Sequence, residues 1–104
     1  SWNQCIATLQ GAQRIGDDKN MMRNMIANFA REFDMTVSQQ RDYCIADLKL
    51  RAVVCDHVKR AILTLYSPLM QRVEMLGEQF VTRQLKYTTE SLESNIDRLF
   101  DASS

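Results

Sequence analysis

Structure-breaking residues are scarce in this chain: 104 residues carry three glycines and one proline. A β-sandwich or barrel needs a turn signal about every 8–12 residues. Gly11, Gly16, Gly77 and Pro68 cannot supply that many, so an all-β fold is excluded and long helices are favoured. A surplus of one charge is missing too. Thirteen basic and thirteen acidic side chains give a formal net charge of zero, which argues against binding nucleic acid by neutralising phosphates. Histidine occurs once, as His57. Cysteine occurs three times, at Cys5, Cys44 and Cys55, an odd count at spacings that fit no zinc pattern. On one helix Cys44 and Cys55 would stand roughly 16 Å apart, well beyond the ~7 Å a disulfide spans. Cys5 could reach one of them only if the first helix folds back, and free thiols in a reducing compartment are the expected state.

Long apolar runs are also lacking. The richest stretch, Leu48 to Tyr66, is broken by Lys49, Arg51, Asp56, His57, Lys59 and Arg60, so no membrane span is expected. Trp2 to Leu9 lacks the basic start and continuous apolar run of a signal peptide. None of the five asparagines begins an Asn-x-Ser/Thr sequon. An intracellular, cytoplasmic location is therefore expected. Because the chain starts at Ser1 rather than Met, it is expected to be a fragment of a longer protein.

What is present is periodic apolar sequence. With 45% apolar and 25% charged residues the balance is globular, and residues 1–104 fit one domain. Trp2, Cys5, Ile6, Leu9, Ala12 and Ile15 recur at spacings of three and four, predicting a helix that Gly16 ends in a left-handed conformation. Asp17 or Asp18 would cap the next helix, making a tight antiparallel hairpin. That second helix carries Met22, Met25, Ile26, Phe29, Ala30 and Phe33 on one stripe. Its end has two readings. A bend at residues 34–38, where Thr36 and Gln39 have the capping-box pattern, is favoured. A continuous helix to Tyr66 would be about 70 Å long and would need a second molecule to cover it.

The third helix, near Val37 to Tyr66, shows two adjacent stripes: Leu48, Ala52, Cys55, Ile62 and Tyr66 beside Leu50, Val54, Val58, Ala61 and Leu65. So wide an arc calls for neighbours on both flanks. Asp47 with Arg51 and Asp56 with Arg60 are favourable i,i+4 pairs. Ser67-Pro68 is read as a cap and first position of a fourth helix. Its stripe begins with Leu69, Val73, Leu76 and Phe80. It then steps sideways to Val81, Leu85, Thr88, Leu92, Ile96 and Leu99, a stutter or a break near Gly77. The expected architecture is all-α: an antiparallel bundle of three or four long helices, with completion by dimerisation favoured over a monomer.

No constellation carries chemistry. On a helix Asp56 points about 100° away from His57, leaving that histidine without an orienting carboxylate. Glu74 and Glu78 form a like-charge pair on a solvated face, and no Glu-x-x-His, Gly-rich phosphate loop or nucleophile elbow occurs. Thr88, Thr89, Ser91 and Ser94 read as caps and helix surface. An enzyme is not expected, nor a cofactor, metal or small-molecule substrate. Met21, Met22 and Met25 cluster with Phe29 and Phe33, either as core filling or as an adaptable groove for a partner helix. Met21, Met22, Met25 and Val53 are the candidate partner-binding residues, Met21 and Val53 because they lie off the main stripes.

The composition thus favours a non-catalytic protein–protein interaction or oligomerisation module, a scaffold that binds another protein or its own copy, with the homodimer ahead. The alternative is a peripheral membrane-trafficking domain resting on a lipid surface. That reading wants a basic face, whereas Arg23, Arg31, Arg41, Lys49, Arg60, Arg83 and Lys86 are scattered among acids.

Overall fold

The structure, a computed structural model, describes residues 1–16, 18–41, 46–77 and 85–101. Among these there are four helices and no strand: α1 (Trp2–Gln13), α2 (Lys19–Gln40), α3 (Leu48–Met75) and α4 (Thr89–Asp101). Asp17, Cys44, Glu78, Phe80, Val81 and Arg83, all used in the sequence reading, lie outside the described residues.

The α1–α2 hairpin forms as the stripes predict. Ser1 caps α1 in a reciprocal box with Gln4, and the Asp18 carboxylate accepts from the amides of Asn20 and Met21 to start α2. The helices run antiparallel: Cys5 meets Thr36 at 3.7 Å, and Thr8 donates to Glu32 at 2.6 Å. Gly11 lets them close, since a Cβ there would stand 3.2 Å from the Met25 Cε.

Gly16 does not end α1 in a left-handed conformation; Gly77 is the only described residue with positive φ, at 114°. The carbonyls at the end of α1 find a side chain instead. Arg72 of α3 donates to the carbonyls of Ala12 (3.3 Å), Ile15 (2.6 Å) and Gly16 (3.4 Å). A guanidinium at a helix C-terminus also meets the negative end of the dipole. Close by, Gln13 donates to the Leu65 carbonyl at 2.9 Å. Together these bonds lay α1 against α3 as well as against α2.

Two expected boundaries move. The helix does not bend at residues 34–38: α2 continues to Gln40, and Thr36 is buried within it. Thr36 fits because its hydroxyl bonds back to the Glu32 carbonyl at 2.8 Å, leaving no unpaired polar atom in the core. The continuous 70 Å helix is absent as well, because Asp47 starts α3 afresh by accepting from the amides of Lys49 and Leu50. Nor does Ser67-Pro68 start a helix. Pro68 lies inside α3, where its ring offers no N–H to the Thr64 carbonyl. Thr64 and Pro68 are both exposed, so that carbonyl faces water. Burial of Tyr66, Leu69, Met70 and Val73 on the opposite side keeps the helix running. The helix ends at Met75 and the chain turns at Gly77, the second of the two readings of the sideways step, a stutter or a break near Gly77.

The core is one cluster of Cys5, Leu9, Met22, Ile26, Phe29, Phe33, Val58, Ile62, Tyr66, Leu69, Val73, Leu92, Ile96 and their neighbours. Tyr66 sits at its centre, its ring 5.2 Å from that of Phe29. Its hydroxyl donates to the Tyr87 carbonyl at 2.5 Å. Tyr87 turns its ring edge to Phe33 at 5.1 Å and donates its own hydroxyl to Asp34, which also pairs with Lys86. This strap leads into α4. There Thr88 and Ser91 cap one another, each side-chain oxygen accepting from the other's amide at 2.9–3.0 Å. α4 then runs antiparallel to α3, held by Lys59 to Asp97 at 3.0 Å.

This packing can be tested at two points. Pro68→Ala restores an N–H to an otherwise intact helix, where proline costs about 3 kcal/mol relative to alanine. It should raise the thermal midpoint; a lower one would mean that the ring shapes the path of α3. The strap should fail in alkali. Burial, then the hydrogen bond to Asp34 and that carboxylate's charge, push the Tyr87 hydroxyl up to about 12. Burial and then Tyr87 raise Tyr66 further. Since both values exceed the unfolded value of about 10, their contribution is intact below that pH and is lost as pH rises through 12. Tyr87→Phe should flatten the alkaline limb of a stability–pH curve.

Candidate protein-docking surface

α3 is longer than the core that receives it. Its first buried residue is Val58, so the stretch from Leu48 to Val53 stands outside. Leu48 is 69% exposed, Leu50 52% and Val53 64%. The reason lies in the other helices. α1 starts at Trp2, α2 ends at Gln40 and the described part of α4 stops at Asp101. Trp2 stacks on Phe100 at 6.5 Å and meets Phe33 at 6.1 Å, closing the end of the core. Beyond that aromatic lid the early part of α3 has no described neighbour on its outer side. Leu48, Leu50 and Ala52, read as core stripes, are therefore surface residues.

Between this part of α3 and the end of α4 lies a groove of about 450 Å³, with Leu48, Ala52, Cys55 and Phe100 as its apolar lining. Arg51, Asp56, Lys59 and Asp101 complete it, so its charges are mixed. Asp56 also bonds Arg60 at 3.1 Å, as the i,i+4 spacing implies. The hydrogen bond to Asp97 raises the Lys59 ammonium above its usual range. The Cys55 thiol is raised as well, by burial and then by the Asp97 charge, so at neutral pH it is a thiol, not a thiolate nucleophile. His57 is exposed. Among the described residues no group of three His, Cys, Asp or Glu could hold a metal ion. An apolar groove with a mixed-charge rim suits a protein side chain better than a small anion or a metal.

The candidate residues from the sequence do not converge on this surface. Met22 is fully buried and belongs to the core, on the same stripe as Ile26 and Phe29, a correction to its place among the partner-binding candidates. Met25 is half-buried over Gly11. Met21 is 51% exposed, but it sits at the α1–α2 turn, at the opposite end of the bundle from Val53. Of the four, Val53 alone belongs to the bare face of α3. Leu48, Leu50 and Phe100 were missed because an apolar stripe marks a helix face that avoids water, not whether its own chain or another covers it. The excess width of the α3 arc was the available signal.

A helical bundle with an uncovered apolar helix end carries the kind of surface through which proteins contact one another. No helix of the described residues is long and apolar enough to cross a membrane. The chain belongs to the C-terminal family of the Exo70 exocyst complex subunit, and the family model matches residues 1–98. That family is a non-catalytic component of a tethering complex. Neither the curated proteins nor the solved structures include a match to the chain.

Exposure at the start of α3 has a direct consequence for stability. Leu50→Glu and Val53→Glu should each shift the unfolding free energy by no more than about 0.5 kcal/mol. Val58→Glu, one turn further on and 4% exposed, should cost several-fold more, because it buries a charge without a partner. Chemical denaturation of the three variants checks the boundary between bare and covered helix.

Proposed function

We propose that this chain is a docking element within one protein of a tethering complex, holding other proteins of that complex by the exposed start of α3. The observation that carries the reading is that Leu48, at the Phe100 groove, and Leu50 and Val53, on the other side of the helix, are all left uncovered at the start of α3, in a chain of the exocyst family. Apolar surface of this kind is costly in water and gains free energy when a partner covers it. The reading includes no catalytic step, and it places the chain inside the cell, where the Cys5 and Cys55 thiols stay free.

A second copy is one partner this surface could take. The expectation of a dimer rested on the two apolar flanks of the third helix and on a possible span of about 70 Å, and the second ground falls away because α2 and α3 are separate helices. A protein partner of different sequence therefore comes first. The lipid-surface reading has weaker support, because the exposed cations Lys49 and Arg60 of α3 stand beside the exposed acid Asp56.

Affinity capture from the native source, with the full-length parent as bait, tests the proposal. Val53→Glu should lose partners that Met21→Glu keeps. An unchanged captured set with Val53→Glu would sink this placement of the surface. Sedimentation with phosphatidylserine vesicles at low salt reports on the alternative: recovery of the wild type in the pellet would favour the lipid reading. Light scattering near 12.1 kDa for the isolated chain would remove the homodimer.

A further inference from the structure

A second groove lies on a different face, between the C-terminal turns of α2 and α4. It has a volume of about 420 Å³ and is lined by Val37, Arg41, Asn95, Arg98 and Leu99. Unlike the groove beside α3, its lining among the described residues includes two cations and no acid. The nearest described acids along the two helices serve other partners or the other groove, and Asp42, next to Arg41, lies outside the described residues. Asp34, one turn before Val37, takes Lys86 and Tyr87; Asp97 takes Lys59; Asp101 lines the other groove. Val37 and Leu99 are half-buried and form a recessed apolar floor. Arg41 is exposed and caps the end of α2. Arg98 is steered by donating a 3.0 Å hydrogen bond to the side-chain Oδ1 of Asn95, whose Nδ2 in turn donates to the Ser91 backbone carbonyl at 2.7 Å.

We propose that this groove docks an acidic segment of a partner protein, whose carboxylates pair with Arg41 and Arg98 while an apolar side chain rests on Val37 and Leu99. The proposal rests on the reading of the chain as a docking element, at a surface separate from α3. Charge complementarity selects the occupant. A guanidinium presents parallel N–H donors that match a carboxylate, and two of them around an apolar floor match an acidic residue next to a Leu or Phe. A bilayer is a poorer match. Its surface is flat and cannot reach a recessed floor, and adhesion to anionic lipid wants a broad basic face, whereas this chain has a formal net charge of zero. Both arginines also lie at helix C-termini, where a cation is favoured by the dipole alone, so the test must separate the two roles.

The full chain is titrated into the fluorescein-labelled peptide Glu-Glu-Leu-Phe-Asp-Glu and, separately, into the same peptide with every acid replaced by Gln. Binding of the acidic peptide only, weakened by added salt and about tenfold weaker for the Arg41→Gln/Arg98→Gln double variant, is the expected result. The Arg41→Lys/Arg98→Lys variant keeps the charge but not the fork, and should fall between. Circular dichroism confirms that each variant is folded. Three results would overturn the proposal: no binding of the acidic peptide by the wild type, equal binding by the double Gln variant, or a lower thermal midpoint for that variant with unchanged peptide affinity. Pelleting with phosphatidylserine vesicles that depends on the two arginines, without peptide binding, would replace it with a lipid site. The Val53→Glu capture keeps the two readings apart. Loss of partners there with an inert groove sinks this inference alone, and no effect at either surface sinks the docking reading itself.

Discussion

Placing a tyrosine hydroxyl at the centre of an apolar core obliges the chain to bring it an acceptor, and much of this fold follows from meeting that demand. Tyr66 is 1% exposed, and an unmet hydroxyl there would cost about 1–3 kcal/mol. The Tyr87 carbonyl meets it. Bringing that carbonyl in draws the 85–88 strap across α2, where Asp34 holds both Lys86 and Tyr87. Only then is α4 delivered antiparallel to α3, with Leu92 and Ile96 in the core. Arg72 performs the matching task at the other end of the molecule, satisfying the carbonyls that finish α1. Two polar contacts made from one helix thus help to orient two of the other three.

The second constraint is length. α3 has 28 residues, whereas α1 has 12 and α4 13. At about 1.5 Å per residue the short helices cover less than half of the long one. Among the described residues its ends stay bare, with Leu48, Leu50 and Val53 exposed at one and Met75, 87% exposed, at the other. In one member of a larger complex such excess is useful, because the apolar surface that one chain cannot cover is what another chain can. The arginine groove differs in kind. It arises where two helix C-termini meet, and what it offers is charge rather than uncovered apolar area.

Helix identity and the α1–α2 hairpin were legible from residue spacing, because the stripes of Cys5, Leu9 and Ala12 and of Met22, Ile26, Phe29 and Phe33 have a period only a helix supports. Local capping was legible as well: Asp18 acts through amides two and three residues away, and such chemistry needs no tertiary information. The misjudged positions were those where distant residues decide. Pro68 reads locally as a helix start, yet the pull of Leu69, Met70 and Val73 on the core outweighs one lost hydrogen bond. Thr36 reads as a cap, yet its hydroxyl is as well satisfied by the Glu32 carbonyl inside α2. Gly16 reads as a helix stop, yet a guanidinium fifty-six residues away does that work.

The candidate surface was less legible than the fold. Spacing separated Met21 and Val53 from the stripes, but put Leu48 and Leu50 inside and left Met22 among the surface candidates. The periodicity by itself determined that the chain is helical, where its apolar faces lie and that two of its helices form a hairpin. Only the tertiary structure decided which apolar positions are covered and which charges share a groove. Hydrophobicity records that a side chain avoids water, whereas coverage depends on how far each neighbouring helix extends, and Arg41 and Arg98 meet across a distance in sequence that no local pattern spans.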